Sequence, residues 1–338
     1  MKTKSFLIFT VFSICVIALV NLSHAIQVTQ NAYEDAFPHM DGNYLVWQGK
    51  VGGDWEIFLY DIGSSQALQI TDNGYNDISP QTDGTYVTWV GYSKAGGEIL
   101  LYEISTGTTT AVTNDDAIDN PPKIADGRVV WSSHMANSSV EPGEVFLYDI
   151  QTTTQTNLSQ TPNLDDSSPQ INSETVTWIQ TNGSETTTFV YENGTTSQAP
   201  EGFVWNDSPQ RDGDLVVSTA HDRHDREIFL RDTSLDTRRQ LTENGVVDTS
   251  PCISGAKIAW VCGSGTDAEI LLLRDETEYE DYLADGFTAV GLSEFDPPPP
   301  EPGDGPNDDP VNGNNGGGSN GGGGGGGSCF ISTVGWRW

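Results

Sequence analysis

The sequence predicts an all-β chain: six four-stranded antiparallel units of roughly 40 residues each, closed into a ring. Three observations carry this. A fixed pattern recurs, with Thr71, Pro80, Trp89 and Glu98 nine residues apart and Thr29, Pro38, Trp47 and Glu56 at the same interval. Asp-Gly pairs sit between the first two strands of four copies, at Asp41-Gly42, Asp83-Gly84, Asp126-Gly127 and Asp212-Gly213. They supply the positive backbone angles that a tight hairpin needs. Finally, the last copy lacks a fourth strand and the N-terminus carries a spare one.

Within a copy, runs such as "GNYLVWQ" and "WEIFLYDI" are rich in β-branched and aromatic residues and bounded by Gly, Asp and Asn, which is how strands read. The third copy keeps Thr113, Pro122 and Trp131, then an insertion around "NSSVEPG" delays its acid to Glu144. The fourth is looser, with Ser159, Pro169, Trp178, and Thr187 in the acidic slot. Pro200, Pro209, Ser218 and Glu227 make the fifth, which has no tryptophan; Thr242, Pro251, Trp260 and Glu269 make the sixth. After "AEILLLRDETEYEDYLADGF" no fourth strand follows, whereas "AIQVTQN" at 25–31 matches "ALQITDN" and precedes the first complete copy. That strand is expected to complete the sixth unit and close a six-bladed β-propeller.

The order Thr, Asp-x-x-Pro, Asp-Gly, an aromatic, then "EIFLYD" resembles the TolB-like six-bladed β-propellers over about residues 26–276. The resemblance implies the fold. It leaves activity open, because that family spans binding proteins, transport-associated components and propellers attached to or acting as enzymes.

"MKTKSFLIFTVFSICVIALVNLSHA" places Lys2 and Lys4 before an apolar run that ends at Ser23 and Ala25. This reads as a secretory signal peptide over 1–25, with an uncleaved membrane anchor as the alternative. The expected location is periplasmic, cell-surface or extracellular. The chain carries a formal net charge of −33, and loss of the leader's two lysines takes it to −35. Such a field repels phosphate backbones and anionic headgroups, which excludes nucleic acid as an expected partner. It suits solubility in salty water, a cationic partner or a calcium-rich medium. No cofactor is expected, calcium being the ion that this acidity would attract.

Residues 26–295 are expected to form the propeller and 296–328, "DPPPPEPGDGPNDDPVNGNNGGGSNGGGGGGGS" from Asp296, a Pro- and Gly-rich linker without a core. The end, 329–338, begins Cys329, Phe330, Ile331 and resembles the start of a short C-terminal sorting-type region of exported bacterial proteins. It is too short to span a bilayer, and no transmembrane span is expected in the mature chain. Cys252 and Cys262 flank the last Trp strand, and an exported chain permits a disulfide between them.

The search for chemistry returns little. "CGSGTD" lacks the spacing of a nucleophile elbow, and no P-loop, His-Glu-x-x-His or Cys-x-x-Cys pattern occurs. "HDRHDRE" groups His221, Asp222, His224 and Asp225, types that bind a transition metal, although the repeat register puts them in a solvated loop. Some polysaccharide-lyase propellers of this general shape use histidines and a metal. Trp47, Trp89, Trp131, Trp178 and Trp260 share one register position and read as inter-blade packing. Trp55 and Trp205 fall outside it and are the better candidates for exposed contact. Three residues before each repeat proline stands an acid, Asp35, Asp77, Asp119, Asp166 and Asp248, with Asn206 in the fifth copy. Two readings apply to this set: local hydrogen bonds that fix the turn before proline, or a ring of acids at a channel mouth that accepts a cation or a basic peptide. The functional expectation is an exported, non-enzymatic propeller that binds a protein or polysaccharide partner at the cell envelope. A glycan-active lyase or hydrolase using His221 and His224 is the alternative.

Overall fold

The computed structural model describes residues 25–93, 96–135, 142–199, 210–221, 225–243 and 245–274. The expected leader, linker and C-terminal tail lie outside them. Six antiparallel sheets follow one another along the chain. Blade 1 comprises Asp35–Asp41, Tyr44–Val51, Asp54–Asp61 and Gln66–Gln69; blade 2 comprises Asp77–Thr82, Tyr86–Gly91, Glu98–Glu103 and Thr108–Ala111. In blade 3 the first strand is split into Ala117–Asp119 and Lys123–Ala125, both paired with Arg128–Met135, and Glu144–Asp149 and Thr154–Asn157 complete it. Blade 4 has Asp165–Ile171, Thr175–Asn182, Glu185–Glu192 and Thr195–Gln198; blade 5 has Gln210–Asp212, Leu215–His221, Arg226–Asp232 and Thr237–Gln240. Blade 6 takes Asp248–Ser254, Lys257–Cys262 and Glu269–Leu273 from the end of the described chain, and Ile26–Gln27 from its start.

The last pairing closes the ring as expected. Ile26 lies opposite Leu272 and Gln27 opposite Leu271. The first strands of blades 6, 1, 2, 3 and 4 touch in that order, and so do those of blades 5 and 6, which places them on the inside of the ring. Fourth strands such as Thr108–Ala111 and Thr195–Gln198 are exposed and form the rim.

A blade between two neighbours must bury both of its faces, so the middle strands lose the in–out alternation of a one-sided sheet. Tyr44–Val51 runs through five consecutive buried residues for this reason. The core is a set of layers between blades. Val87, Trp89 and Tyr102 of blade 2 meet Val46, Ile57 and Leu59 of blade 1. Trp131 does the same against blade 2, Trp178 against blade 3 and Trp260 against blade 5, while Trp47 seals blade 1 against blade 6. The tryptophans are inter-blade packing, as their register implied.

The repeat proline marks a β-bulge. Pairing slips between Ala36 and His39, Ile78 and Gln81, Ser167 and Gln170, and Thr249 and Cys252. The residue before each of these prolines takes a positive φ: Phe37 at 53°, Ser79 at 57°, Ser168 at 54° and Ser250 at 52°. Proline lacks the N–H that a bulge leaves without a ladder partner, which is why it fits there.

Candidate functional site

Threonine, glutamate, asparagine, aspartate and tryptophan of the repeat form one hydrogen-bonded unit where blade 1 meets blade 2 and where blade 6 meets blade 1. At the junction of blades 1 and 2, the Thr71 hydroxyl accepts the Ile57 N–H at 2.7 Å, and Glu56 accepts the Asn73 N–H at 3.0 Å. Asn73 bends back so that its Oδ1 accepts the Tyr75 N–H, and its Nδ2 donates to Asp77 Oδ2 at 2.6 Å. Asp77 Oδ1 accepts the Trp89 indole N–H at 2.8 Å. The junction of blades 6 and 1 repeats this with Thr29, Glu269, Asn31, Asp35 and Trp47.

This geometry decides between the two readings of the acidic set. Asp35, Asp77, Asp166 and Asp248 have no exposed surface and Asp119 is 2% exposed, so these five do not form an open ring at a channel mouth. Each accepts an indole N–H from its own blade, from Trp47, Trp89, Trp131, Trp178 or Trp260, at 2.8–3.1 Å. The local-hydrogen-bond reading is the one that fits, with an indole N–H as the shared donor. Burial pushes the carboxyls of Asp35 and Asp77 up to about 6, against the hydrogen bonds from the neighbouring Asn and Trp. It raises Asp119 and Asp166 as well. Asn206 lies outside the described residues.

The proposed disulfide is absent: Cys252 and Cys262 are both free. Their strands pair Cys252 with Ala259 and Cys262 with Asp248, about 10 Å apart along the ladder and beyond disulfide reach. Cys262 stands where blades 1 and 2 have Gly49 and Gly91, opposite the buried acid. Burial first, and then its contact with Asp248, push this thiol up to about 12. Of the histidine cluster, His221 ends the second strand of blade 5, exposed and paired with Arg226, and Asp225 lies just before that partner strand. Asp222 and His224 lie outside the described residues, as does Trp205.

Blade 3 departs from its sisters at two positions that the sequence reading passed over. The Asn31-x-Tyr33 and Asn73-x-Tyr75 pairs become Asp115-x-Ala117. In blades 1 and 2 the tyrosine ring lies over the acid: a Cβ added at Gly49 would fall 2.8 Å from Asp35 Oδ1 and 2.9 Å from the Tyr33 ring. With alanine there, a cavity of about 830 Å³ opens over Asp119, walled by Asp115, Trp131, Ser133, His134 and Glu144. Met135, 54% exposed, stands at its edge. Aligning the copies by the Thr position would have found both changes.

No family model matches the chain, and no curated protein does. Among solved structures it is similar to an oligogalacturonate lyase from Vibrio parahaemolyticus, at 11% identity and a TM-score of 0.53 over 75% of this chain and 94% of that one. An oligogalacturonate lyase in complex with manganese gives 12% identity and a TM-score of 0.52 over the same shares. TolB from Acinetobacter baumannii is also matched, at 15% identity and a TM-score of 0.39 over 65% of this chain and 60% of that one. At such identities the likeness speaks for the fold alone. Together with six four-stranded sheets and an N-terminal strand seated in the last of them, it makes the chain a six-bladed β-propeller.

Proposed function

We propose that the chain is an exported, non-catalytic binding propeller whose ligand, a segment of an envelope protein or a polysaccharide, enters the cavity of blade 3. The observation that carries this is the placement of the cavity where Asp115 and Ala117 stand in place of the amide and the tyrosine that fill the junctions of blades 6 and 1 and of blades 1 and 2. Elsewhere the repeat's polar side chains are occupied in holding blades together. A concave site with apolar walls and a few converging polar groups is the usual form of a binding pocket. Asp115, Asp119 and Glu144 give its walls a negative character, which favours a basic peptide segment or a neutral glycan over an acidic sugar chain.

The test is binding of the full chain to lysine-rich peptides, neutral cell-wall polysaccharides and oligogalacturonate, read by calorimetry and by the ultraviolet absorbance of unsaturated uronates. Saturable binding that Ala117→Tyr abolishes, with no absorbance gain, is the expected result. Release of unsaturated sugar would overturn the non-catalytic reading and favour the lyase alternative.

A further inference from the structure

The junction of blades 2 and 3 brings three carboxylates together where its sisters have two carboxylates and an amide. Asp115 keeps the fold-forming half of the asparagine's role: its Oδ1 accepts the Ala117 N–H at 2.8 Å, and its own N–H donates to Glu98 at 3.2 Å. The other half is inverted. In the sister junctions Nδ2 of Asn31 and Asn73 donates to the acid's Oδ2 at 2.7 and 2.6 Å. At the junction of blades 3 and 4 the Thr161 hydroxyl donates to Asp166 Oδ2 instead. Asp115 brings a carboxylate oxygen to a place where each of these neighbours brings a hydrogen. Asp119 Oδ2 is correspondingly buried, on a residue 2% exposed, with no donor in hydrogen-bonding geometry, the Ser133 and Thr113 hydroxyls being the neighbours that favour its ionised form, while its Oδ1 still holds the Trp131 indole.

A buried, unpartnered carboxylate oxygen beside two further carboxylates calls for positive charge. Oxygens of Glu98, Asp115 and Asp119 lie within 4.8 Å of one another. That spread admits ligands around an ion with metal–oxygen distances of about 2.3–2.6 Å. All three donors are hard oxygens, and the cavity over Asp115 and Asp119 leaves room for water ligands. We propose that Glu98, Asp115 and Asp119 bind a calcium ion at the junction of blades 2 and 3, replacing the amide hydrogen bond that links the sister junctions. The ion ties Glu98 of blade 2 to the acid at the head of blade 3. With the ion in place Asp115 and Asp119 are neutralised, and Glu144 keeps the negative wall of the cavity.

The test uses the full chain, stripped with chelator, and calcium alone. Saturating calcium should raise the melting temperature by about 5 °C, and equal ionic strength from sodium chloride should not. Terbium in place of calcium should luminesce on tryptophan excitation, since Trp131 donates to a ligand residue. Asp115→Asn restores the sister arrangement, so the stripped variant should melt above the stripped parent while losing both the calcium shift and the terbium signal. Asp116→Asn, an exposed neighbour, should keep both. No calcium-specific shift in the parent, or an undiminished shift in Asp115→Asn, would overturn the proposal. These readouts need no peptide or glycan, so their failure is separate from failure of the binding reading.

Discussion

Changing Trp89 to Phe separates two roles that the repeat tryptophan combines. The side chain is fully buried between blades 1 and 2, and its N–H is held 2.8 Å from Asp77 Oδ1, on a carboxyl with no exposed surface. Phenylalanine keeps most of the apolar contact but removes the donor, a hydrogen bond to a charged group worth about 1.5–3 kcal/mol. The smaller ring leaves a void that costs about 1–2 kcal/mol more. The sum, about 2.5–5 kcal/mol, corresponds to a fall in melting temperature of about 5–20 °C for a chain of this size.

The loss should also depend on pH. Asp77 has a folded pKa of about 6, above its ordinary 3.8, so the native state holds an extra proton between these values. Stability from this group is therefore complete below about pH 4 and falls as pH rises through about 6, where the buried carboxylate ionises. The indole favours the ionised form, so removing it deepens the high-pH penalty. Thermal melts followed by circular dichroism should show a larger deficit for the variant near pH 7.5 than near pH 4.5. A deficit under about 1 kcal/mol, or one equal at both pH values, would refute the assignment of the indole–carboxylate bond as a main tie of the junction.

Three further outcomes are expected. Gly49→Ala puts a methyl 2.8 Å from both Asp35 Oδ1 and the Phe58 ring, and should cost about 1–3 kcal/mol in chemical denaturation, whereas Gly42→Ala, with open space around it, should act only through its positive φ. Thr29→Val removes the hydroxyl that accepts the Ile270 N–H at 2.8 Å, so blade 6 should lose about 1–3 kcal/mol and exchange its amide hydrogens faster than blade 2 does. Peptide mapping after alkylation should recover Cys252 and Cys262 as thiols, with Cys252 labelled only once the chain is unfolded, since it is buried and its thiol is pushed up to about 12.

The fold was legible because every mark of the repeat is a structural part. Threonine, aspartate, tryptophan and glutamate recur at fixed spacing since their hydrogen bonds hold the turn that leads from one blade into the next, and a bond network of that kind tolerates few substitutes. The same regularity hid the meaning of the aspartates. Spacing placed Asp77 near the inside of the ring, but only coordinates show that its oxygens face an indole and an amide rather than a channel. Cys252 and Cys262 flank one strand, but the turn at Ser254-Gly255 already sets Cys252 opposite a residue well short of Cys262, and the bulge only adjusts that register. The departures at Asp115 and Ala117 were visible in the letters. Their significance was not, because an acid near other acids in a chain of −33 is unremarkable until one of their oxygens is found buried and unpartnered.

The strand Ile26–Gln27 finds its partners at Leu271 and Leu272, almost the full length of the ring away. Synthesis delivers this strand before every other strand of the ring and its partner after all of them. Blades 1 to 5 can each fold their hairpins as they emerge, yet the circle stays open until the final strand of blade 6 has arrived. The first strand thus acts as a clasp: the circle can close only when the third strand of blade 6 has been made and is free to receive it.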